Sequence, residues 1–134
     1  MRKVEKGKEK KKKVLIVDDD ADFVEMNKIV LEKAGYEVIA AYSGKEGLEK
    51  AHSEKPNIII LDVMMETGSV GFDVCRKLRN SEQTKNIPQI MVTSVNETVP
   101  YKFSPDETWL PTDCFLEKPV APDRLLEEVK KRIK

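Results

Sequence analysis

The chain has 134 residues, 40% of them apolar and 36% charged, which suits one domain with its own core and excludes a disordered polymer. No apolar run approaches the roughly 20 residues of a membrane span, and no apolar stretch follows the first lysines as it would in a secretory signal. The net charge is zero, but residues 1–13 hold eight Lys/Arg and two Glu, leaving 16 basic and 22 acidic residues for the remainder.

The chain divides into a basic leader at 1–12 and one domain at 13–134. The leader reads as a solvated, flexible segment. It has no aromatic side chain and no amphipathic face, and the acidic remainder would not extend a nucleic-acid surface, so neither nucleic acid nor a membrane is expected as a partner. Beyond it, short apolar runs alternate with helical patterns. The runs are Val14–Val17, Glu37–Ala41, Ile58–Leu61, Gln89–Val92 and Cys114–Leu116. Several are continuously apolar and rich in Val and Ile, as in parallel strands covered on both faces.

Between the first two runs, Phe23, Met26, Val30, Leu31 and Ala34 recur at helical spacing and predict an inward face, with Gly35 as the C-terminal stop. Ser43 and Glu46 form a capping-box pattern ahead of a second helix whose Leu48 and Ala51 face inward. A third helix is predicted over Phe72–Arg79. A last one starts at Pro122 and carries Leu125, Leu126, Val129 and Ile133. The segment Val95–Asp113 is broken by Pro100, Pro105 and Pro111, so no long helix is expected there. Its Tyr101, Phe103 and Trp109 either pin it to the body or form a docking patch. The alternation of strands and helices predicts a parallel sheet with helices on both faces.

The chemistry lies where the runs end. The first ends in Asp18-Asp19-Asp20, the third in Asp62, the fourth in Thr93-Ser94 and the fifth in Glu117-Lys118-Pro119. C-terminal strand ends of an open parallel sheet share one edge, where ligands bind. Three carboxylates gathered there repel one another unless a hard cation sits among them, and oxygen ligands suit Mg2+. An ammonium and a hydroxyl beside such a cation suit a phosphoryl group. Asp62 ends the middle run and is the carboxylate best placed as nucleophile. Asp20 reads as a helix N-cap. Cys75 and Cys114 lack nearby Cys or His partners and read as reduced thiols of a cytoplasmic protein. His52, the single histidine, reads as a solvated side chain, which argues against a Ser/His or Cys/His hydrolase.

The stretches VLIVDDD, GYEVIAAYSGKEGLEKA, IIILDVMM, GFDVCRKLR, IPQIMVTS and FLEKPV resemble the receiver domains of two-component response regulators over nearly all of residues 13–133. The resemblance implies a flavodoxin-like, doubly wound five-stranded parallel sheet of order 2-1-3-4-5, here with a degenerate fourth helix at 95–113. It implies a phosphoryl-accepting signalling switch rather than an enzyme, served by a sensor histidine kinase or phosphotransfer protein. Asp62 would be the phosphoacceptor. Asp18, Asp19, Asp62 and the backbone carbonyl of Met64 would hold Mg2+, with Asp19 a direct ligand and Asp18 acting through water. Thr93 and Lys118 would meet the phosphoryl oxygens, a cis Lys118–Pro119 bond would aim the lysine, and Phe115 would be the aromatic switch. Glu66 replaces the family's usual Pro, and the Glu66–Gly71 loop is about one residue longer than usual. Met64 and Val95 stand where polar residues help to position the hydrolytic water, so slow autodephosphorylation is expected. With the usual fourth-helix face altered, a monomer or weak dimer is expected, and since nothing follows Lys134 the output would be binding or onward phosphotransfer. Two other readings compete: a phosphorylation-independent interaction module, against which the intact acidic set speaks, and a Mg2+ phosphohydrolase, which would need an acid/base group where Met64 stands.

Overall fold

The computed structural model describes residues 11–62, 70–93 and 114–134, with the side chains of 70–72, 93, 114 and 115 left aside. Residues 1–10 of the leader, Met64, Val95 and the degenerate fourth helix expected at 95–113 therefore lie outside the described residues, as does most of the Glu66–Gly71 loop. The elements are β1 (Lys13–Val17), α1 (Ala21–Lys33), β2 (Glu37–Ala41), α2 (Gly44–Glu54), β3 (Ile58–Asp62), α3 (Val70–Arg79), β4 (Gln89–Thr93), β5 (Cys114–Glu117) and α4 (Pro122–Arg132). All strand pairs are parallel, and the sheet order is β2-β1-β3-β4-β5. This is the order 2-1-3-4-5 of the flavodoxin-like fold.

The continuous apolar runs are explained by the two faces of the sheet. Successive side chains of a strand point to opposite sides. Leu15, Val17, Ile59, Leu61 and Met91 meet Ala51 of α2 and Val74, Cys75 and Leu78 of α3. Val14, Ile16, Ile58, Ile60, Ile90, Val92 and Leu116 meet Val24 and Leu31 of α1 and Leu125 and Val129 of α4. Positions 14–17 of β1 and 58–61 of β3 therefore all need an apolar residue, until Asp62 closes β3.

The helix ends follow local chemistry. Asp20 caps α1, accepting from the backbone N–H of Asp22 and Phe23. At the other end Gly35 adopts φ +101, Gly35 N–H donates to Glu32 O and Tyr36 N–H to Leu31 O. That pair of bonds closes a Schellman turn, which an L side chain at position 35 would strain. Ser43 caps α2 by accepting from Glu46 N–H, while Glu46 reaches back to Tyr42 N–H rather than to Ser43.

Three expectations change. The buried face of α1 is Val24, Asn27 and Leu31, whereas Met26 is 53% exposed and Ala34 also faces out. Apolar residues lie almost all round this helix, so spacing does not single out the packed stripe; the angle at which α1 lies on the sheet does. His52 is half-buried rather than solvated: its Nδ1 lies 2.9 Å from Leu48 O and its Nε2 3.1 Å from Ser81 Oγ, tying α2 to the turn after α3. The third helix starts at Val70, two residues earlier than predicted. Cys75 is buried. No helix among the described residues is long and apolar enough to cross a membrane.

On α4, Glu128 is only 3% exposed. Arg124 and Arg132 bond to its carboxylate and Lys131 Nζ lies 3.7 Å away. The Arg124 bond above all, with Arg132 and Lys131 adding and burial opposing, lowers its pKa to about 2. The folded state thus prefers the ionised form, so the stabilisation is complete above the ordinary value of 4.5 and fades as pH falls towards 2. Because the basic partners are partly in solvent, Glu128→Gln is expected to cost about 1–2 kcal/mol at pH 7. Urea unfolding followed against pH should show the two proteins converging in acid; a gap that persists there would contradict this origin.

Candidate functional site

The polar residues that end the strands sit at the crevice of the sheet. Strand order reverses between β1 and β3, the neighbours in the middle of the sheet, and a crevice opens at such a reversal beyond the carboxyl ends. Asp18 follows β1 directly, its N–H donating to Ala41 O. Asp62 is the last residue of β3, in register with Val92 of β4. The strands are one residue longer here than their apolar runs, taking in Asp62, Thr93 and Glu117. Backbone pairing with a parallel neighbour continues past the last apolar side chain and places the polar group on the edge.

Asp18, Asp19 and Asp62 each bring a carboxylate oxygen within 4.8 Å of the others. Asp18 and Asp62 are buried, at 1% and 4% exposure, while Asp19 faces solvent. Lys118, separated from Asp18 by 100 residues in the chain, places Nζ 3.0 Å from Asp18 Oδ2 and 3.8 Å from Asp62 Oδ2. The Lys118–Pro119 bond is cis, as the resemblance implied.

Two buried carboxylates and one exposed one so close together carry more negative charge than a single ammonium balances. The donor set is all oxygen, open to solvent on the Asp19 side, and so fits a hard divalent cation that keeps part of its water shell. Among the residues expected at the site, Asp18, Asp19, Asp62 and Lys118 converge. Thr93 ends β4 in register with Glu117, the residue before Lys118, and Phe115 lies in β5 opposite Met91; their side chains are outside the description. Met64 and Val95 also lie outside the described residues.

Helical spacing in the sequence overlooked two contributors. Asp20, besides capping α1, donates its N–H to Asp18 Oδ1 at 2.9 Å. The ring of Phe23, read from spacing as core, lies under the lysine, with Lys118 Nζ 4.5 Å from its centroid. A sequence signal did exist: Phe23 sits in the first turn of a helix that begins at the acidic edge.

Comparison with known proteins agrees with this arrangement. Residues 14–130 match the family described as response regulator receiver domain. The chain is 37% identical over 123 residues to the alkaline phosphatase synthesis transcriptional regulatory protein PhoP of Bacillus subtilis (strain 168), covering 92% of this chain and 47% of that protein. The chain thus spans about half the length of that curated relative. Among solved structures it resembles the chemotaxis response regulator CheY4 of Vibrio cholerae, with TM-score 0.77, 31% identity, and coverage of 92% of this chain and 100% of that one. It also resembles the response regulator TrrA of Thermotoga maritima, solved in complex with Mg2+-BeF, with TM-score 0.74, 30% identity, and coverage of 91% and 99%. Sheet order, acidic crevice and family match coincide, and the chain belongs to the response regulator receiver domains, the phosphorylation-dependent switches of two-component systems.

Proposed function

We propose that Asp62 is the phosphoacceptor of this receiver domain, taking a phosphoryl group from a phosphohistidine of a sensor histidine kinase or phosphotransfer protein. In the transfer the N–P bond breaks, a P–O bond to an Asp62 carboxylate oxygen forms, and the imidazole leaves with the electron pair. The observation that carries the reading is the position of Lys118 between Asp18 and Asp62, 3.0 and 3.8 Å from their carboxylates. An ammonium at that point faces both the metal-binding oxygens and the oxygens of an incoming phosphoryl group.

Asp18, Asp19 and Asp62, with the Met64 carbonyl, would hold Mg2+, Asp18 through water. The bound cation would supply neutralisation of phosphoryl charge. TrrA, solved with Mg2+-BeF, supports this ligand class. Thr93 would bring its hydroxyl to the phosphoryl oxygens and Phe115 would report the change by its rotamer. The excess of acidic residues beyond the leader disfavours nucleic-acid contact by this domain. Location in the cytoplasm and a monomer or weak dimer complete the reading, with output by protein binding or onward transfer.

Acetyl phosphate and Mg2+, followed by intact mass, test it. Wild type should gain one phosphoryl group and Asp62→Asn none; a gain that survives in Asp62→Asn would refute the assignment. The acyl phosphate should also be long-lived, because Met64 and Val95 offer no polar group to a hydrolytic water. Met64→Asn combined with Val95→Glu is expected to shorten its decay in Mg2+ several-fold, and unchanged decay would remove this explanation.

A further inference from the structure

Among the described residues, the ammonium of Lys118 rests on two kinds of support: carboxylates, and one aromatic face. The carboxylates cannot hold it throughout the reaction, because Asp18 and Asp62 are the groups that turn to metal and phosphoryl. The face of Phe23, 4.5 Å from Nζ, carries no charge and enters no such exchange. We propose that Phe23 is a positioning residue for phosphoryl acceptance: its ring holds the Lys118 ammonium at the crevice while the lysine passes from Asp18 to the phosphoryl oxygens. This rests on the reading of Asp62 as phosphoacceptor.

The ring is itself held in a closed circuit of contacts. Asp18 Oδ2 accepts from Lys118 Nζ at 3.0 Å. Asp18 Oδ1 accepts from Asp20 N–H at 2.9 Å. Asp20 Oδ1 accepts from Phe23 N–H at 3.3 Å, and the Phe23 ring faces Nζ. The buried Asn27 adds a bond from Nδ2 to Phe23 O at 2.8 Å. The first turn of α1 thus fixes the ring relative to the carboxylate that Lys118 must leave.

An aromatic face suits the task better than another anion. A further carboxylate would add to the repulsion among three already within 4.8 Å and would bind the ammonium too firmly to release. A ring quadrupole attracts a cation within about 6 Å without net charge. It also limits the rotamer freedom of a long side chain that must otherwise be ordered at each transfer. At 18% side-chain exposure, Lys118 is sheltered enough for the contact to count.

The test places ring-fluorinated phenylalanines at position 23 of the full chain, alongside Phe23→Tyr and Phe23→Leu. Fluorine withdraws electron density from the face while nearly keeping its shape. The readouts are the rate of Asp62 phosphorylation by acetyl phosphate in Mg2+, the Tm, and the proton shifts of the Lys118 side-chain methylenes in metal-free protein. The rate should fall with successive fluorination by about three- to tenfold in all, at unchanged Tm. Phe23→Tyr should retain it, and Phe23→Leu should lose both the rate and the ring-induced shift of the Lys118 methylenes. A rate indifferent to fluorination, or a loss that only follows Tm, overturns the proposal. So do Lys118 shifts unchanged in Phe23→Leu. A wild type that takes no phosphoryl group fails the Asp62 reading and the role of Phe23 with it; Lys118 methylene shifts that are still ring-displaced in wild type and lost in Phe23→Leu would then show that the acceptor assignment, and not the ring contact, was at fault.

Discussion

Lys118→Met is expected to destabilise the metal-free protein by about 2–3 kcal/mol at neutral pH and to slow phosphorylation of Asp62 by about a hundredfold. Methionine keeps most of the apolar stem, so the change removes chiefly the charge. What remains is Asp18 at 1% exposure and Asp62 at 4%, close together beside Asp19, with the ammonium 3.0 Å from Asp18 gone. Removing one partner of a buried ion pair costs more than the pair contributes, because the other charge stays desolvated. The partial exposure of Lys118 itself, 18% for the side chain, keeps the effect below the roughly 3–5 kcal/mol of a fully buried pair. Urea unfolding in EDTA should show the deficit, and millimolar Mg2+ should narrow it, since a divalent cation compensates the same carboxylates. A variant as stable as wild type in EDTA, or a deficit untouched by Mg2+, would mean that Lys118 does not balance this cluster.

The second large effect is expected at Gly47, away from the charges. A Cβ there would lie 2.8 and 2.9 Å from the two γ-carbons of Val17, distances that side chains do not tolerate. Gly47 is buried on the face of α2 that meets the sheet, and Val17 is a 1%-exposed core residue that cannot swing aside. Gly47→Ala should therefore destabilise by about 2–3 kcal/mol through overpacking, although alanine favours the helix. Val17 is also the residue before Asp18, so the push reaches the acidic edge, and phosphorylation should slow more than a remote core variant of equal stability would predict. Combining Gly47→Ala with Val17→Ala removes the clash. The double variant should be more stable than the sum of the two single losses allows, by at least about 1 kcal/mol. Strictly additive losses would show that α2 relaxes away from the sheet without strain.

Much of the fold was legible because its determinants are local or periodic. Continuous Val/Ile runs identify strands covered on both faces, and in the structure odd and even positions of β1 and β3 enter opposite cores. Asp20, Ser43 and Gly35 punctuate helices through hydrogen bonds made within a turn, which do not depend on the rest of the molecule. The acidic residues could be placed on one edge for the same reason: in a parallel sheet every strand end points the same way.

Face selection and partners were not legible. Met26 and Val24 are both apolar and two positions apart, and only the docking of α1 on the sheet buries Val24 and leaves Met26 in water. His52 has no sequence neighbour to reveal Ser81 as its partner. What the sequence by itself determined is the set of strands, the caps and the polar residues at the strand ends, since these follow from side-chain periodicity and short-range bonding. Only the tertiary structure decided that Lys118 reaches Asp18 across 100 residues of chain, and that the ring of Phe23 faces its ammonium. Those contacts depend on the order of strands and the angle of a helix, which are settled by packing the whole core at once.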